Sequence, residues 1–256
     1  MPTFCANISL LYTEVPLEAR LKLARADGFD GFEVQFPYAI DALAWRQQMD
    51  ELGMTCVLFN VDAGDLLQGG EGVASVPGRR EQFRFAVEQA LGYAHLLAPS
   101  VINVLPGRCV KPEDRDIYIQ TLVDNLAYAA AQFYPLGITT CVEAINTTDM
   151  PDFLIHTTEQ MVEVLTRLDH PGVKMQYDLY HMATMNQSIR EDLRHYAGQI
   201  GHIQFADLPG RGEPGSGTLD LCAYFSQIDR CGYEGWVGAE YRPTRETSKT
   251  LEWMQP

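Results

Sequence analysis

At 256 residues and 46% hydrophobic, the chain can bury one large core, and its length suits a single α/β barrel as well as two small domains. Its 34 acidic residues against 19 basic ones give a net charge of -15, which argues against a surface built to follow a nucleic-acid backbone, since that needs a concentrated basic stripe. No apolar run approaches the ~20 residues needed to cross a bilayer.

Thr3 to Ser9 alternates as a strand does and meets Thr13-Glu14-Val15-Pro16, a stretch suited to a helix start. Leu17, Leu21, Leu23 and Ala24 follow at helical spacing, and Gly28 ends that helix. Phe32 to Phe36 reads as the second strand; Pro37 breaks it ahead of a helix carrying Ile40, Leu43, Ala44 and Met49, closed by Gly53. Thr55 to Asn60 is the third strand. A long loop from Val61 to Gly78 precedes a helix over Arg80 to Leu97, with Phe83, Val87, Ala90, Leu91 and Ala94 on one face. Val101 to Leu105 is the fourth strand, stopped by Pro106-Gly107, and Pro112 sits where a helix accepts proline in its first turn. That helix continues to Phe133. The second half repeats the alternation: strands Ile138 to Val142, Val173 to Tyr177, Ile200 to Ile203 and Trp236 to Ala239, with helices over Thr158 to Leu168, Ile189 to Tyr196 and Leu221 to Ile228 between them.

Strict strand-helix alternation is the mark of a parallel sheet with crossover helices, and eight repeats are what close a (β/α)8 TIM barrel. No composition shift or Ser/Pro-rich linker divides the chain, so residues 1–256 are expected to form one such domain; an open doubly wound sheet is the alternative. Of six cysteines, Cys5, Cys56 and Cys141 lie inside apolar strand-like runs. There is no C-x-x-C, and Met1 to Leu10 runs into strand-like sequence without a basic start, so a reducing cytoplasm is the expected setting.

Glu143, Asp178, Gln204 and Glu240 follow the last four strands at comparable positions, which in a closed barrel brings four oxygen donors together at the end where such folds keep their chemistry. Burying three carboxylates without a cation is costly, and an all-oxygen donor set without cysteine suits Mg2+ or Mn2+ rather than structural zinc. His181, three residues after Asp178, lies in a loop facing that pocket and is a candidate substrate contact. The stretch Pro209 to Gly217 contains a literal G-x-G-x-x-G at Gly210, Gly212 and Gly215, but Pro214 interrupts any immediate helix and too little chain follows for a dinucleotide fold. It reads instead as a flexible βα loop acting as a lid that offers Arg211 to an anionic substrate. Arg79, in Pro77-Gly78-Arg79-Arg80, is a second candidate carboxylate clamp at the barrel mouth. No G-x-S-x-G, H-E-x-x-H, Walker loop or zinc-type Cys/His spacing occurs.

The stretches Phe4 to Ser9, Val142 to Asn146, Gln176 to His181, Gly201 to Asp207, Arg211 to Gly215 and Gly235 to Tyr241 resemble the hydroxypyruvate isomerase family of xylose-isomerase-like barrels, nearly end to end. The runs Gln176 to His181 and Arg211 to Gly215 are its most specific parts. Sugar epimerases and an apurinic endonuclease group are more distant relatives. The resemblance implies that Glu143, Asp178, Gln204 and Glu240 hold a divalent metal, and that Glu143 and Glu240 are the catalytic acid-base pair. It implies too that His181 and Arg211 contact substrate, and that Asp149 stands where the epimerases place a substrate-touching glutamate. Gln204 occupies a position that is histidine in the epimerases. The implied reaction converts hydroxypyruvate to tartronate semialdehyde through an enediolate that the metal would stabilise, with the metal's necessity for turnover left open. A 2-oxo-tetronate isomerase is the runner-up. The expected partner is a small anionic keto acid, with no nucleic acid and no membrane; a homo-oligomer is compatible with the sequence. A phosphodiesterase acting on abasic DNA would share the barrel but needs a basic face and more histidines than the six present, and a non-catalytic barrel would be marked by loss of one of the four donors.

Overall fold

The computed structural model describes residues 1–254. Eight parallel strands, β1 (Thr3–Asn7), β2 (Gly31–Val34), β3 (Thr55–Asn60), β4 (Val101–Val104), β5 (Thr139–Glu143), β6 (Val173–Asp178), β7 (Ile200–Phe205) and β8 (Trp236–Ala239), close into a barrel in chain order. Closure comes from β1 against β8, with Thr3 opposite Trp236 and Ala6 opposite Ala239. The open doubly wound alternative is thereby excluded.

The helices are α1 (Leu17–Ala26), α2 (Ala42–Leu52), α3 (Arg80–Leu97), α4 (Arg115–Phe133), α5 (Thr158–Leu168), α6 (Leu179–Thr184), α7 (Ile189–Tyr196) and α8 (Leu221–Arg230). Their starts follow local chemistry. Asp41 accepts from Leu43 N and begins α2, which leaves Ile40 outside the helix that its spacing had suggested. Gly53 ends α2 in the left-handed region at φ 63°, where a side chain is disfavoured. Thr157 and Asp220 cap α5 and α8 in the same manner as Asp41. The six-residue α6 has no sequence signal long enough to reveal it; it starts on Asp178, whose Oδ1 accepts from Tyr180 N at 2.8 Å.

The main core lies between the strands and the helices, as in Phe32 stacked 5.8 Å from Trp45. A second apolar cluster, Cys5, Val57, Leu58, Val101 and Cys141 with Trp236 against it, joins β1 and β8 on one side of the barrel to β3, β4 and β5 on the other and so plugs its interior. Cys5, Cys56 and Cys141 are buried and unbridged, as small core side chains. Deeper polar residues sit inside the same cylinder, among them Asn7, Glu33, Asn103, Gln176, His202 and Gln204, all buried. Glu33 has room because its neighbour on β8 is glycine: a Cβ on Gly238 would stand 2.6 Å from both Glu33 carboxylate oxygens. Gly238→Ala is therefore expected to destabilise the fold by about 1–3 kcal/mol, the usual range for overpacking, as read from a denaturant melt. An unchanged midpoint would mean that Glu33 moves aside freely.

Among the described residues, no helix is long and apolar enough to cross a membrane.

Candidate active site

The strand register brings the C-terminal ends of β5, β6, β7 and β8 level, with Glu143 opposite Gln176, Asp178 opposite Gln204, and Gln204 opposite Gly238. Glu240 follows β8 directly. Donor atoms of Glu143, Asp178, His181 and Glu240 all lie within 4.8 Å of one another, and all four residues are buried. Above them opens a cavity of about 210 Å³, lined by polar residues including Glu143, Asp149, Gln176, His181, Gln204, Arg211, Glu240 and Arg242, and by apolar ones such as Phe36, Leu67, Leu105 and Ile145.

The electrostatics of the cluster follow from burial. Glu143 is pushed well above the ordinary carboxyl range by loss of hydration, then by repulsion from Glu240 and Asp178; Arg211 and a 2.9 Å hydrogen bond from Asn103 Nδ2 oppose this. Burial likewise raises Asp178, to about 7, and raises Glu240, against the pull of Arg211 in both cases. Arg211 pairs with Glu240 Oε2 and approaches Asp178 Oδ2 at 3.5 Å; burial works against its charge, but Glu240, Asp178 and Glu143 outweigh that and hold it protonated. Its guanidinium also lies 5.1 Å from the Tyr180 ring centroid. His181 is held neutral, its imidazolium form disfavoured by burial and then by Arg211. Its Nε2 is 3.4 Å from Asp178 Oδ2 and its Nδ1 is 2.7 Å from Asn146 Nδ2.

This donor set fits a divalent cation. Three carboxylates and an imidazole converge with, among the described residues, a single arginine to balance them, and all three acids are driven toward protonation in a way that a cation would reverse. In addition, Gln176 Oε1 borders the cavity, buried and without a hydrogen-bond partner among the described residues. The oxygen-rich set suits a hard ion. Gln204 shares the cavity wall, its Oε1 accepting from Gln176 Nε2 at 2.6 Å and its Nε2 donating to Glu33 Oε1 at 2.8 Å, so its amide is fixed in one orientation.

Asp149 lines the cavity, bonded by Asn146 Nδ2 and Tyr180 Oη, each at 3.0 Å. Arg79 is not brought there. Its guanidinium donates to Asp65 at 2.7 Å and to the Gly72 carbonyl at 2.9 Å, so it closes the long β3 to α3 loop upon itself. The stretch after β7 is fastened rather than free: the Asp207 carboxylate accepts from the backbone N–H groups of Leu208, Gly215, Gly217 and Leu219, and Glu213 accepts from Thr244. Such bonding holds Arg211 at φ 57°, a conformation a non-glycine residue keeps only when its surroundings demand it. The expectation of a flexible lid is corrected accordingly.

Sequence reasoning missed the support beneath the site. Glu33 Oε1 also accepts from Asn7 Nδ2 at 2.9 Å, and Oε2 lies 2.6 Å from His202 Nε2. Asn7 Nδ2 in turn reaches Glu240 Oε1 at 2.9 Å, joined there by Gln35 Nε2 at 3.0 Å. Glu33 therefore orients both Gln204 and, through Asn7, Glu240. The signal available was an acid inside an otherwise apolar strand, Gly31-Phe32-Glu33-Val34.

Residues 21–256 match the family described as xylose isomerase-like TIM barrel. A 2-oxo-tetronate isomerase of Pectobacterium atrosepticum is 38% identical over 257 residues, covering 100% of this chain and 98% of that protein. The hydroxypyruvate isomerase of Escherichia coli is 37% identical over 256 residues, covering 100% and 99%. Among solved structures, one titled AP endonuclease, family 2, from Brucella melitensis superposes with a TM-score of 0.96 at 37% identity over 99% of this chain and 98% of that one.

Proposed function

The chain belongs to the xylose isomerase-like TIM-barrel family, and on that premise we propose that it is a sugar-acid isomerase whose substrate is hydroxypyruvate, converted to tartronate semialdehyde. The observation that carries this reading is the closeness of Glu143 and Glu240, with donor atoms within 4.8 Å of each other on one wall of a small cavity. Moving a hydrogen between adjacent carbons needs one group to remove a carbon-bound proton and a second to return it, both in reach of a molecule three or four carbons long.

Glu240 is the better resting base, because Arg211, Asn7 and Gln35 all donate to its carboxylate and favour the ionised form against burial. Glu143, its carboxylate within 4.8 Å of that of Glu240, handles the proton at the neighbouring carbon. Asn103 holds its Oε2 in place. A divalent cation held by Glu143, Asp178, Glu240 and Gln204 would supply positive charge against the enediolate as it forms. His181, uncharged and anchored by Asn146, and Asp149, anchored by Tyr180, are positioned to hydrogen-bond substrate oxygens. Arg211 neutralises the acids and sets their orientation.

The 2-oxo-tetronate isomerase reading is the second one, supported by the names of relatives at 37–38% identity. The phosphodiesterase suggested by the Brucella title finds no support in a chain of net charge -15 with an active-site cavity of about 210 Å³. Assays with hydroxypyruvate, its four-carbon homologue and an abasic oligonucleotide, each with added Mg2+ or Mn2+ and again after chelation, separate the three. Turnover of hydroxypyruvate at the higher kcat/KM is expected; turnover of the homologue alone gives the site to the tetronate, and cleavage of the oligonucleotide overturns both.

A further inference from the structure

The geometry points to Arg242 as the residue that grips the substrate's carboxylate, an assignment that rests on reading the cavity as a keto-acid site. An anion entering this cavity passes Glu143, Asp149 and Glu240, so it needs a cation not already committed to those acids. Two arginines line the wall, Arg211 and Arg242. Arg211 is spent on Glu240 and Asp178. Arg79 lies elsewhere, bonded to Asp65, and both ring nitrogens of His181 are engaged, by Asp178 at 3.4 Å and Asn146 at 2.7 Å.

Arg242 differs from all of these. Among the described residues its guanidinium enters no ion pair or hydrogen bond, although nearby Arg245 is paired with Glu252 at 3.4 Å. Its side chain is exposed while its backbone is fixed: Arg242 N donates to the Arg211 carbonyl at 2.6 Å, and the flanking Tyr241 is fully buried. Two residues on, Thr244 donates to Glu213 from both its backbone N–H and its Oγ1, at 3.0 and 2.5 Å. A long arm with five donors therefore springs from a fixed point two residues past Glu240, and both residues line the cavity. In both candidate substrates the carboxylate is bonded directly to the carbon that bears the ketone, so one forked contact serves either acid.

The test compares wild type with Arg242→Gln and Arg242→Lys. A hydrogen-bonded ion pair of this kind contributes roughly 1.5–3 kcal/mol, so Arg242→Gln is expected to raise KM for the keto acid about 10- to 100-fold with kcat within about threefold. Lysine should recover part of the loss, since it restores charge without the fork. Inhibition by glycerate should weaken by the same factor, whereas inhibition by dihydroxyacetone, which carries a hydroxymethyl group in place of the carboxylate, should not change. A KM and a glycerate affinity within about twofold of wild type overturn the assignment, and so does an equal loss for dihydroxyacetone, which would mark a general disturbance of the pocket. Glycerate binding, measured by calorimetry, reads the clamp without turnover. If wild type turns over neither keto acid, the isomerase reading falls separately, while a glycerate affinity lowered by Arg242→Gln still stands for the anion site.

Discussion

Glu143→Gln and Glu240→Gln are each expected to lower kcat/KM for the keto acid by at least about 10²- to 10⁴-fold, the usual contribution of a positioned acid or base. Glutamine keeps the shape of each side chain while removing its charge and its ability to carry a proton to and from carbon, so each variant is assayed at saturating Mg2+ or Mn2+. Because the wild-type Glu143 carboxyl is buried and pushed upward by its surroundings, the neutral amide should leave the cation-free fold as stable or more so. A loss of activity in a protein that melts no lower than wild type would thus report chemistry. Near-full activity in either variant would remove that glutamate from the mechanism. Retention of solvent-proton exchange at one carbon, in a variant that no longer forms product, would tell which side each glutamate serves.

Replacing Arg211 by methionine should have the largest effect on the fold, and that effect should grow with pH. Among the described residues the arginine is the only cation set directly among Glu143, Asp178 and Glu240, and removing one partner of a buried pair typically costs about 3–5 kcal/mol. The sign follows from proton counts. Asp178, raised to about 7 in the native protein, and Glu240, also raised, retain protons that the unfolded chain releases at ordinary carboxyl pKa values. The native state thus binds more protons than the unfolded one above about pH 4, and stability falls as pH rises from there through the folded pKa values. Without Arg211 those values climb further and the loss extends to higher pH. Denaturant melts in the presence of a chelator should show a modest difference between wild type and variant at pH 5 and a large one at pH 8. A difference that is constant with pH would mean that Arg211 acts by packing alone.

The barrel could be read from sequence because its strands are buried on both faces and appear as short apolar runs, each followed by a helix with its own spacing. Helix bounds at Arg80–Leu97, Thr158–Leu168 and Ile189–Tyr196 coincide with the periodic pattern, since in each case the pattern itself carries the packing. Strand ends were less visible. β5 runs to Glu143 and β7 to Phe205, so Glu143 and Gln204 lie within strands rather than after them; a polar residue that faces the barrel's interior cannot be told by type from one that begins a loop. The convergence of acids from β5, β6 and β8 depends only on strand order, which alternation predicts. Partners chosen across the barrel were beyond reach. Glu33 meets His202, 169 positions away, and nothing local marks either as a pair. Arg79 was misplaced for a related reason, because its acid, Asp65, lies within the same loop and takes up the charge before the pocket can. Arg242 went unnoticed because a solvent-exposed arginine after a strand carries no pattern; only the commitment of the other arginines sets it apart.

Asp178 starts α6 with one carboxylate oxygen and turns the other toward Arg211 and His181. Mutational drift at this position is thereby doubly constrained. Alanine would fray the segment that carries His181 as well as deleting a charge, so its phenotype could not be apportioned between the two losses. Asparagine, which can still begin the helix while surrendering the charge, is the one neighbouring genotype that parts them, and a lineage abandoning the chemistry while retaining the scaffold would be expected to pass through it.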